Sequence, residues 1–265
     1  MAEKRRLVSL AALYGVFQIP VTSQDKHVLY GNFSIIDGTC EAVGKIADDQ
    51  RDPYWQGNIY VYSEISHWGM DFKVIGVSDR AYCKDSSFIT VWLPSTITHI
   101  GADAFRECSS LTSVSIPEGV VHIGACAFWK DINLSQLQIP STLSSISEAC
   151  FHNCKISTLI IPEGVTTIGL DAFACCEDLK EVYLPQSLKR IERGVFWRCK
   201  SLESVSIPAG VESIGEYNFL GCTKLKQIEN HAIDPQPVIS LFDDSIPDLR
   251  LFVPIESIEK YKSSA

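Results

Sequence analysis

A repeat of 22 to 23 residues constrains this chain more strongly than any other feature of its sequence. One recurring element is a proline that closes an apolar triplet, at Pro94, Pro117, Pro140, Pro162, Pro185 and Pro208. A second is an aromatic residue, at Tyr82, Phe105, Phe128, Phe151, Phe173, Phe196 and Phe219. The two series keep one register over seven units, which indicates a solenoid with one coil per unit. Phe242 and Pro254 continue the spacing, so a degenerate last coil is expected.

One unit shows how such a coil forms. Val114 and Ile116 alternate with serines, which is the pattern of a short strand with one buried face. Pro117 then ends the strand because it has no N–H to donate to a sheet. Gly124 permits a tight corner, after which the aromatic ring of the next unit enters the space between coils. Successive strands are expected to pair in parallel about 4.8 Å apart, so that stacked units share one continuous core.

The repeated pattern Leu-x-x-Val-x-Ile-Pro-x-x-Val-x-x-Ile-Gly-x-x-Ala-Phe-x-x-Cys resembles the BspA-type leucine-rich repeat of bacterial surface proteins and some parasitic protists. The resemblance covers about residues 74–254. It implies a leucine-rich-repeat solenoid of right-handed coils with a curved parallel β-sheet on the concave face. The sequence departs from the common leucine-rich repeat, because glycines stand where that repeat carries an asparagine; they are Gly119, Gly164 and Gly210.

Four segments are predicted on this basis. Residues 1–23 resemble a signal peptide, since a basic Lys4-Arg5-Arg6 run precedes an uncharged apolar stretch and small residues at cleavage spacing; an N-terminal helix or strand packed on the domain is the alternative. Residues 24–73 are a β-rich N-terminal cap, with hairpins expected at Asp37-Gly38 and around Trp68-Gly69. About seven coils of 22–23 residues and the degenerate last coil occupy residues 74–254. Residues 255–265 form a C-terminal capping helix.

Cysteines recur three residues after the repeat aromatic, at Cys108, Cys154, Cys176, Cys199 and Cys222. Asp85 and Asp131 take that place in two other units. Residues at one phase of the repeat stack as a column, so we interpret these cysteines as buried thiols that behave as small hydrophobic side chains. Disulfides between adjacent coils, or within Cys150/Cys154 and Cys175/Cys176, are the alternative.

Several functional classes are disfavoured by composition. The chain has 23 basic and 32 acidic residues, a net charge of −9, and no extended basic patch, so we predict no nucleic-acid partner. No apolar run is long enough for a membrane-spanning segment. Nucleophile elbow, P-loop and dinucleotide motifs are absent, so we predict no enzyme activity and no cofactor. His99 and His122 share a column but offer only two ligands, so no metal site is predicted.

The remaining candidate is the surface of the predicted sheet. Residues on either side of the central valine in each strand are expected to point outward. The predicted binding residues on this concave face are Thr90, Trp92, Ser113, Ser115, Gln136, Gln138, Thr158, Ile160, Glu181 and Tyr183. The face is small, polar and nearly uncharged, with exposed apolar exceptions, which suits contact with a macromolecule. Strand propensity alone also selects such residues.

We therefore predict a non-enzymatic, secreted or cell-surface interaction module that binds a protein partner, in keeping with the adhesion role that the resemblance implies. Glycan binding is an alternative, favoured by Trp92 and Tyr183. These two residues lie four coils apart, about 19 Å, so they could not sandwich one sugar. An intracellular scaffold in a protist is a further alternative. The oligomeric state is left open.

Overall fold

The computed structural model describes residues 16–19, 31–36, 39–42, 57–61, 63–67, 70–236 and 248–263. Within these residues the chain winds into a parallel-sheet solenoid of about seven coils, each about 23 residues long, which confirms the predicted fold. The strands before the first repeat are β1 (Val16–Ile19), β2 (Gly31–Ile36), β3 (Thr39–Ala42), β4 (Asn58–Tyr60), β5 (Glu64–His67) and β6 (Met70–Val77).

The coils contribute short strands on two sides. They are β7 (Thr90–Trp92), β8 (His99–Ile100), β9 (Ser113–Ser115), β10 (His122–Ile123), β11 (Gln136–Leu137), β12 (Ser145–Ile146), β13 (Thr158–Ile160), β14 (Thr167–Ile168), β15 (Glu181–Tyr183), β16 (Arg190–Ile191), β17 (Ser204–Ile207), β18 (Ser213–Ile214), β19 (Gln227–Asn230) and β20 (Arg250–Phe252). A 3-10 turn, Ile255–Ser257, and helix α1, Ile258–Ser263, follow.

The two sides differ in strand length and in position along the coil. The odd-numbered strands from β7 to β19, with β4 and β20, form the first side. Parallel pairing joins β4, β7, β9 and β11, then β13 and β15, and then β17, β19 and β20. We call the outward surface of this side the long-strand face. The even-numbered strands from β8 to β18 form the second side, where parallel pairing joins β8 with β10 and, separately, β12, β14, β16 and β18. The core lies between these sides and a third side, the turn that carries the repeat aromatic.

The repeat aromatics stack through the core, as predicted. Centroid separations between neighbouring rings run from 5.2 Å, for Tyr82 and Phe105, to 6.3 Å, for Phe173 and Phe196. The planes of successive rings lie within 12° of one another. All seven rings are buried, so each fills the space that two adjacent coils would otherwise leave open.

The turn around each aromatic, which we call the phenylalanine corner, contains two residues with positive φ. In the first full coil these are Asp103 (φ 54°) and Glu107 (φ 58°). This geometry directs their amides toward the next coil, where Asp103 N donates to Ala125 O at 2.9 Å and Glu107 N donates to Trp129 O at 2.8 Å. The corners therefore form a third ladder of hydrogen bonds along the solenoid, which offsets the cost of left-handed backbone at non-glycine residues.

The column of buried thiols predicted from the repeat is present. Each thiol donates to the carbonyl of the aromatic residue in the preceding coil, as Cys108 Sγ does to Tyr82 O at 3.1 Å and Cys222 Sγ to Phe196 O at 3.1 Å. Asp131 occupies the same column and is fully buried. Its Oδ1 accepts the N–H of Cys108 at 2.7 Å, whereas its Oδ2 has no hydrogen-bond partner.

The segment before the repeats contains the two predicted antiparallel pairs, β2 with β3 and β5 with β6. The hairpin predicted around Trp68-Gly69 pairs a strand over residues 59–65 with one over residues 72–75, and strand β4 differs from this prediction. It pairs in parallel with β7 and lies in the same sheet as the repeats. The reason is that Ile59 and Val61 are buried and alternate with Tyr60, so this strand covers the core of the first coil.

The two ends of the chain carry the other predicted segments. In the N-terminal segment, Val16–Ile19 is a strand paired antiparallel with β2. Residues 1–15 and 20–23 lie outside the described residues, so the signal peptide stays a prediction. At the C terminus, α1 contacts the last coil, where the Tyr261 hydroxyl donates to Ala232 O at 3.1 Å. Among the described residues, no helix has the length and apolar character needed to cross a membrane.

Candidate binding surface

The residues predicted to face outward do so. In β7 the central Val91 is buried, while Thr90 is half-buried and Trp92 is exposed. The same alternation recurs along the long-strand face, because each central apolar residue must enter the core. The ten predicted residues thus lie on one continuous surface with the two columns expected from the sequence.

One of these columns holds nearly all the apolar character of the face. This outer column is formed by the second outward residue of each long strand. Its exposed large apolar members, from 47% to 65% accessible, are Tyr60, Trp92, Ile160, Tyr183 and Phe252. Polar residues separate them in the same column: Ser115, Gln138, Ser206 and Glu229. Four of the five apolar residues therefore form two pairs, Tyr60 with Trp92 and Ile160 with Tyr183, each on adjacent strands, while Phe252 lies beside Glu229.

Tyr60 is a member of this surface that the sequence did not predict. Its ring stacks beside that of Trp92, with centroids 6.2 Å apart and planes 10° apart. Tyr60 falls outside the repeat register, because 32 residues separate it from Trp92 and no repeat proline follows it. The signal available was the alternation of Ile59 and Val61 around Tyr60, which matches the strand of a repeat unit.

The inner column, formed by the first outward residue of each long strand, is polar. Several of its side chains form hydrogen bonds with neighbouring side chains. Thr90 Oγ1 donates to Asn58 Oδ1 at 2.5 Å on the adjacent strand. The Tyr183 hydroxyl donates to Glu181 Oε2 at 3.2 Å, which fixes an aromatic of the outer column to an acid of the inner column. These contacts already restrict the side-chain rotamers in the free protein, so less conformational entropy is lost on binding.

Titratable groups with shifted pKa values lie in the core, at the corners and in the C-terminal helix. Burial raises the pKa of Asp131 to about 9 and the pKa of Cys176 to about 12. Burial also lowers the pKa of His152 at a phenylalanine corner. The described residues contain no group of three or more His, Cys, Asp or Glu side chains that could hold a metal ion.

Comparison with protein families identifies the repeat. The family model for the BspA type leucine rich repeat region matches residues 75–155 and 144–233, in six copies. Among curated proteins, a sequence search finds no match.

Solved structures share the fold. A leucine rich cell surface protein from Faecalibacterium prausnitzii has a TM-score of 0.67 and 26% sequence identity over 83% of this chain. The chain spans just over half, 56%, of that protein. A leucine rich repeat protein from T. pallidum has a TM-score of 0.57 and 22% identity, over 89% of this chain and 93% of that one. One from Bacteroides ovatus has a TM-score of 0.54 and 22% identity, over 88% and 79%.

Proposed function

Because the chain belongs to the family of proteins with BspA-type leucine-rich repeats, we propose that it is a non-enzymatic interaction module that binds a protein partner through the long-strand face. The observation that carries this proposal is the outer column, where exposed aromatic and aliphatic side chains are grouped on an otherwise small and polar surface. Exposed aromatics on a rigid sheet lose little entropy on binding and dominate many protein interfaces.

A protein partner is favoured over a glycan by the composition of the second apolar pair. Ile160 is the most exposed of the large apolar residues in the outer column, and an aliphatic side chain offers no ring on which a sugar could stack. Glycan binding is supported by Tyr60 and Trp92, whose rings lie side by side. The two partner classes therefore predict different sensitivity to Ile160→Ala, which affects protein binding alone.

We further propose that the protein is exported and that its binding serves adhesion. Export and adhesion are supported by the basic and apolar pattern in residues 1–23 and by the family resemblance. Mass determination of the protein isolated from its native cells tests export, since cleavage near residue 23 removes the N-terminal segment. A mass that retains all 265 residues would favour the intracellular scaffold instead.

Binding is tested with purified matrix proteins and a glycan array, each probed with the wild type and with a Trp92→Ala/Tyr183→Ala variant. The matched control is Val121→Ala/Ile132→Ala, which truncates two side chains that are equally exposed but lie outside the long-strand face. We expect the first variant to lose at least tenfold in affinity for the partner, about 1.4 kcal/mol or more, and the control to bind like wild type.

The outcomes separate the alternatives. Loss of binding in both variants would indicate a general defect, and circular dichroism would identify it. Unchanged binding by the Trp92→Ala/Tyr183→Ala variant would exclude the long-strand face as the binding site. Signals on the glycan array alone, insensitive to Ile160→Ala, would assign the face to glycans.

A further inference from the structure

One phenylalanine corner contains a cation held between a carboxylate and an indole of the chain itself. The Arg106 guanidinium donates to Asp103 Oδ1 at 3.0 Å. The same guanidinium lies over the Trp129 ring of the next coil, with its central carbon 4.2 Å from the ring centroid. This arrangement shows which chemical group the corner accommodates: a planar cation that pairs with the acid and stacks on the indole.

Three coils further along, the repeat places the same acid and the same indole but no cation between them. Asp171 is the repeat equivalent of Asp103, with φ of 51° against 54°, and Trp197 is the equivalent of Trp129. The position equivalent to Arg106 is Ala174. The acid and the indole are thus retained without the guanidinium that bridges their equivalents. Arg198 lies over the Trp197 ring, 5.5 Å from its centroid, as Lys130 lies over Trp129 at 4.2 Å, but Arg198 makes no ion pair with Asp171 in the described part of the chain.

An open cavity of about 260 Å³ lies at this corner. It is lined by Asp171, Arg193, Gly194, Trp197, Tyr217 and Leu220. Gly194 forms its floor: a Cβ at this position would collide with Asp171 Oδ1 and would lie 3.8 Å from Trp197 Cβ. Asp171 and Trp197 therefore border the same space, which exists because the repeat equivalent of Cys126 here is a glycine.

The charges at the cavity favour an external cation. Asp103 is paired with Arg106, whereas Asp171 has no lysine or arginine within ion-pair distance in the part of the chain that the structure describes. His152 faces Asp171, but burial lowers the pKa of this imidazole, which keeps it neutral at pH 7. The Asp171 carboxylate therefore lies beside two aromatic rings without an ion-pair partner among the described residues, although the Arg193 side chain also lines the cavity.

We propose that this cavity binds a guanidinium group supplied from outside the chain, held by the Asp171 carboxylate and stacked on Trp197. Tyr217 adds a phenol ring that has no equivalent in the Arg106 corner, where Ala149 stands. The site lies at a phenylalanine corner, away from the long-strand face, so its occupancy does not depend on the function proposed above. The guanidinium could belong to an arginine side chain of a protein or to free arginine.

The test uses the intact chain and three capped amino acids: N-acetyl-arginine methylamide, the lysine analogue and the citrulline analogue. Citrulline has the shape of arginine with a neutral urea group, so it isolates the contribution of the charge. Binding is followed through the indole N–H resonance of Trp197, assigned by its loss in Trp197→Phe. We expect a saturable shift with the arginine probe, in the millimolar range, and at least about tenfold weaker binding of the citrulline probe.

Substitutions locate the site. Asp171→Asn removes the charge at nearly constant shape and should weaken the arginine probe about tenfold or more. Asp178→Asn removes an exposed acid of the same coil that does not line the cavity, and should leave binding unchanged. Arg193→Ala removes a cation from the rim and should bind the arginine probe at least as tightly as wild type. Unchanged thermal melting confirms that each variant is folded.

The proposal would be overturned by equal binding of the arginine and citrulline probes, by wild-type binding in Asp171→Asn, or by loss of binding in Arg193→Ala, which would indicate recognition of an anion. Preference for the lysine probe would also refute it. A final comparison distinguishes the source of the guanidinium. Free arginine that binds more tightly than the capped probe indicates a free amino acid, and weaker binding indicates a protein side chain.

Discussion

Asp131 provides a quantitative test of how the core is built. Its carboxyl group occupies the thiol column and is fully buried between coils. One oxygen accepts the Cys108 amide at 2.7 Å, and the other has no hydrogen-bond partner. Burial, partly opposed by the Cys108 hydrogen bond, raises the pKa of this group from its ordinary value of 3.8 to about 9. The carboxyl is consequently protonated in the folded protein at pH 7 and ionised in the unfolded chain.

This difference makes the free energy of unfolding depend on pH. Below the unfolded pKa both states are protonated, and Asp131 imposes no penalty. As pH rises from about 4 to about 9, the unfolded chain releases its proton while the folded protein keeps it, so stability falls by about 1.4 kcal/mol per pH unit. The penalty reaches about 4 kcal/mol at pH 7, a large fraction of the stability of an ordinary domain.

The assay is equilibrium urea unfolding, followed by circular dichroism at several pH values from 5 to 8, for the wild type and Asp131→Asn. The asparagine oxygen still accepts the Cys108 amide, but the side chain has no proton to lose. We expect the variant to be more stable than wild type at pH 8, by several kcal/mol, and the difference to shrink by about 1.4 kcal/mol for each pH unit toward 5.

The difference in the free energy of unfolding between wild type and Asp131→Asn reports on Asp131, because the other titrating groups are present in both proteins. The pKa of His152 is lowered by burial, so this residue contributes stability that increases as pH rises toward its unfolded pKa, opposite in sign to Asp131. Both proteins retain that contribution. A difference in stability that stays constant between pH 5 and 8 would refute the argument, since it would mean that the Asp131 carboxyl does not take up a proton on folding.

Two further substitutions test the packing and the corners. Phe173→Ala removes a ring that stacks 5.5 Å from Phe151 and 6.3 Å from Phe196. We expect the resulting cavity to lower the free energy of unfolding, measured in urea titrations, by about 3–5 kcal/mol. A loss below about 1 kcal/mol would mean that the stacked rings do not stabilise the core by packing. Gly194→Ala introduces a Cβ at φ 67° against Asp171, so a loss of about 1–2 kcal/mol is expected, together with weaker binding of the arginine probe. Wild-type values for both quantities would contradict the assignment of Gly194 as the floor of the cavity.

The sequence predicts the solenoid well because the same few residue types recur at the same positions. The phase of the aromatics places the stacked rings, and the phase of the cysteines places the buried column that Cys108 and Cys222 share. Alternation around each central valine also predicts which side chains leave the sheet, as with Trp92 and Tyr183. All of these inferences depend on apolar burial, which the repeat pattern records directly.

Features that depend on departures from the repeat were harder to predict. Tyr60 was missed because its strand joins the sheet from outside the periodic region. The positive φ values at the phenylalanine corners were also missed, because residues as different as Asp103, Lys130 and Tyr217 adopt them. Hydrogen bonding between coils imposes this conformation, so residue type gives almost no indication of it.

The long-strand face and the cavity at the phenylalanine corner both consist of positions at which the repeat varies from coil to coil. Core positions are fixed by stacking, since the rings stack on their equivalents in neighbouring coils and each thiol of the column donates to the aromatic residue's carbonyl in the preceding coil. Outward positions at the sheet and at the corners contact few residues, so the chain changes them at little cost in stability. Ala174 in place of Arg106 and Gly194 in place of Cys126, in two later coils, are such changes, and they leave an acid and an indole without the guanidinium that bridges their equivalents. In a solenoid, equivalent positions in different coils can therefore reveal binding sites. A corner that holds a guanidinium of the chain shows which group an equivalent corner with an open cavity can bind.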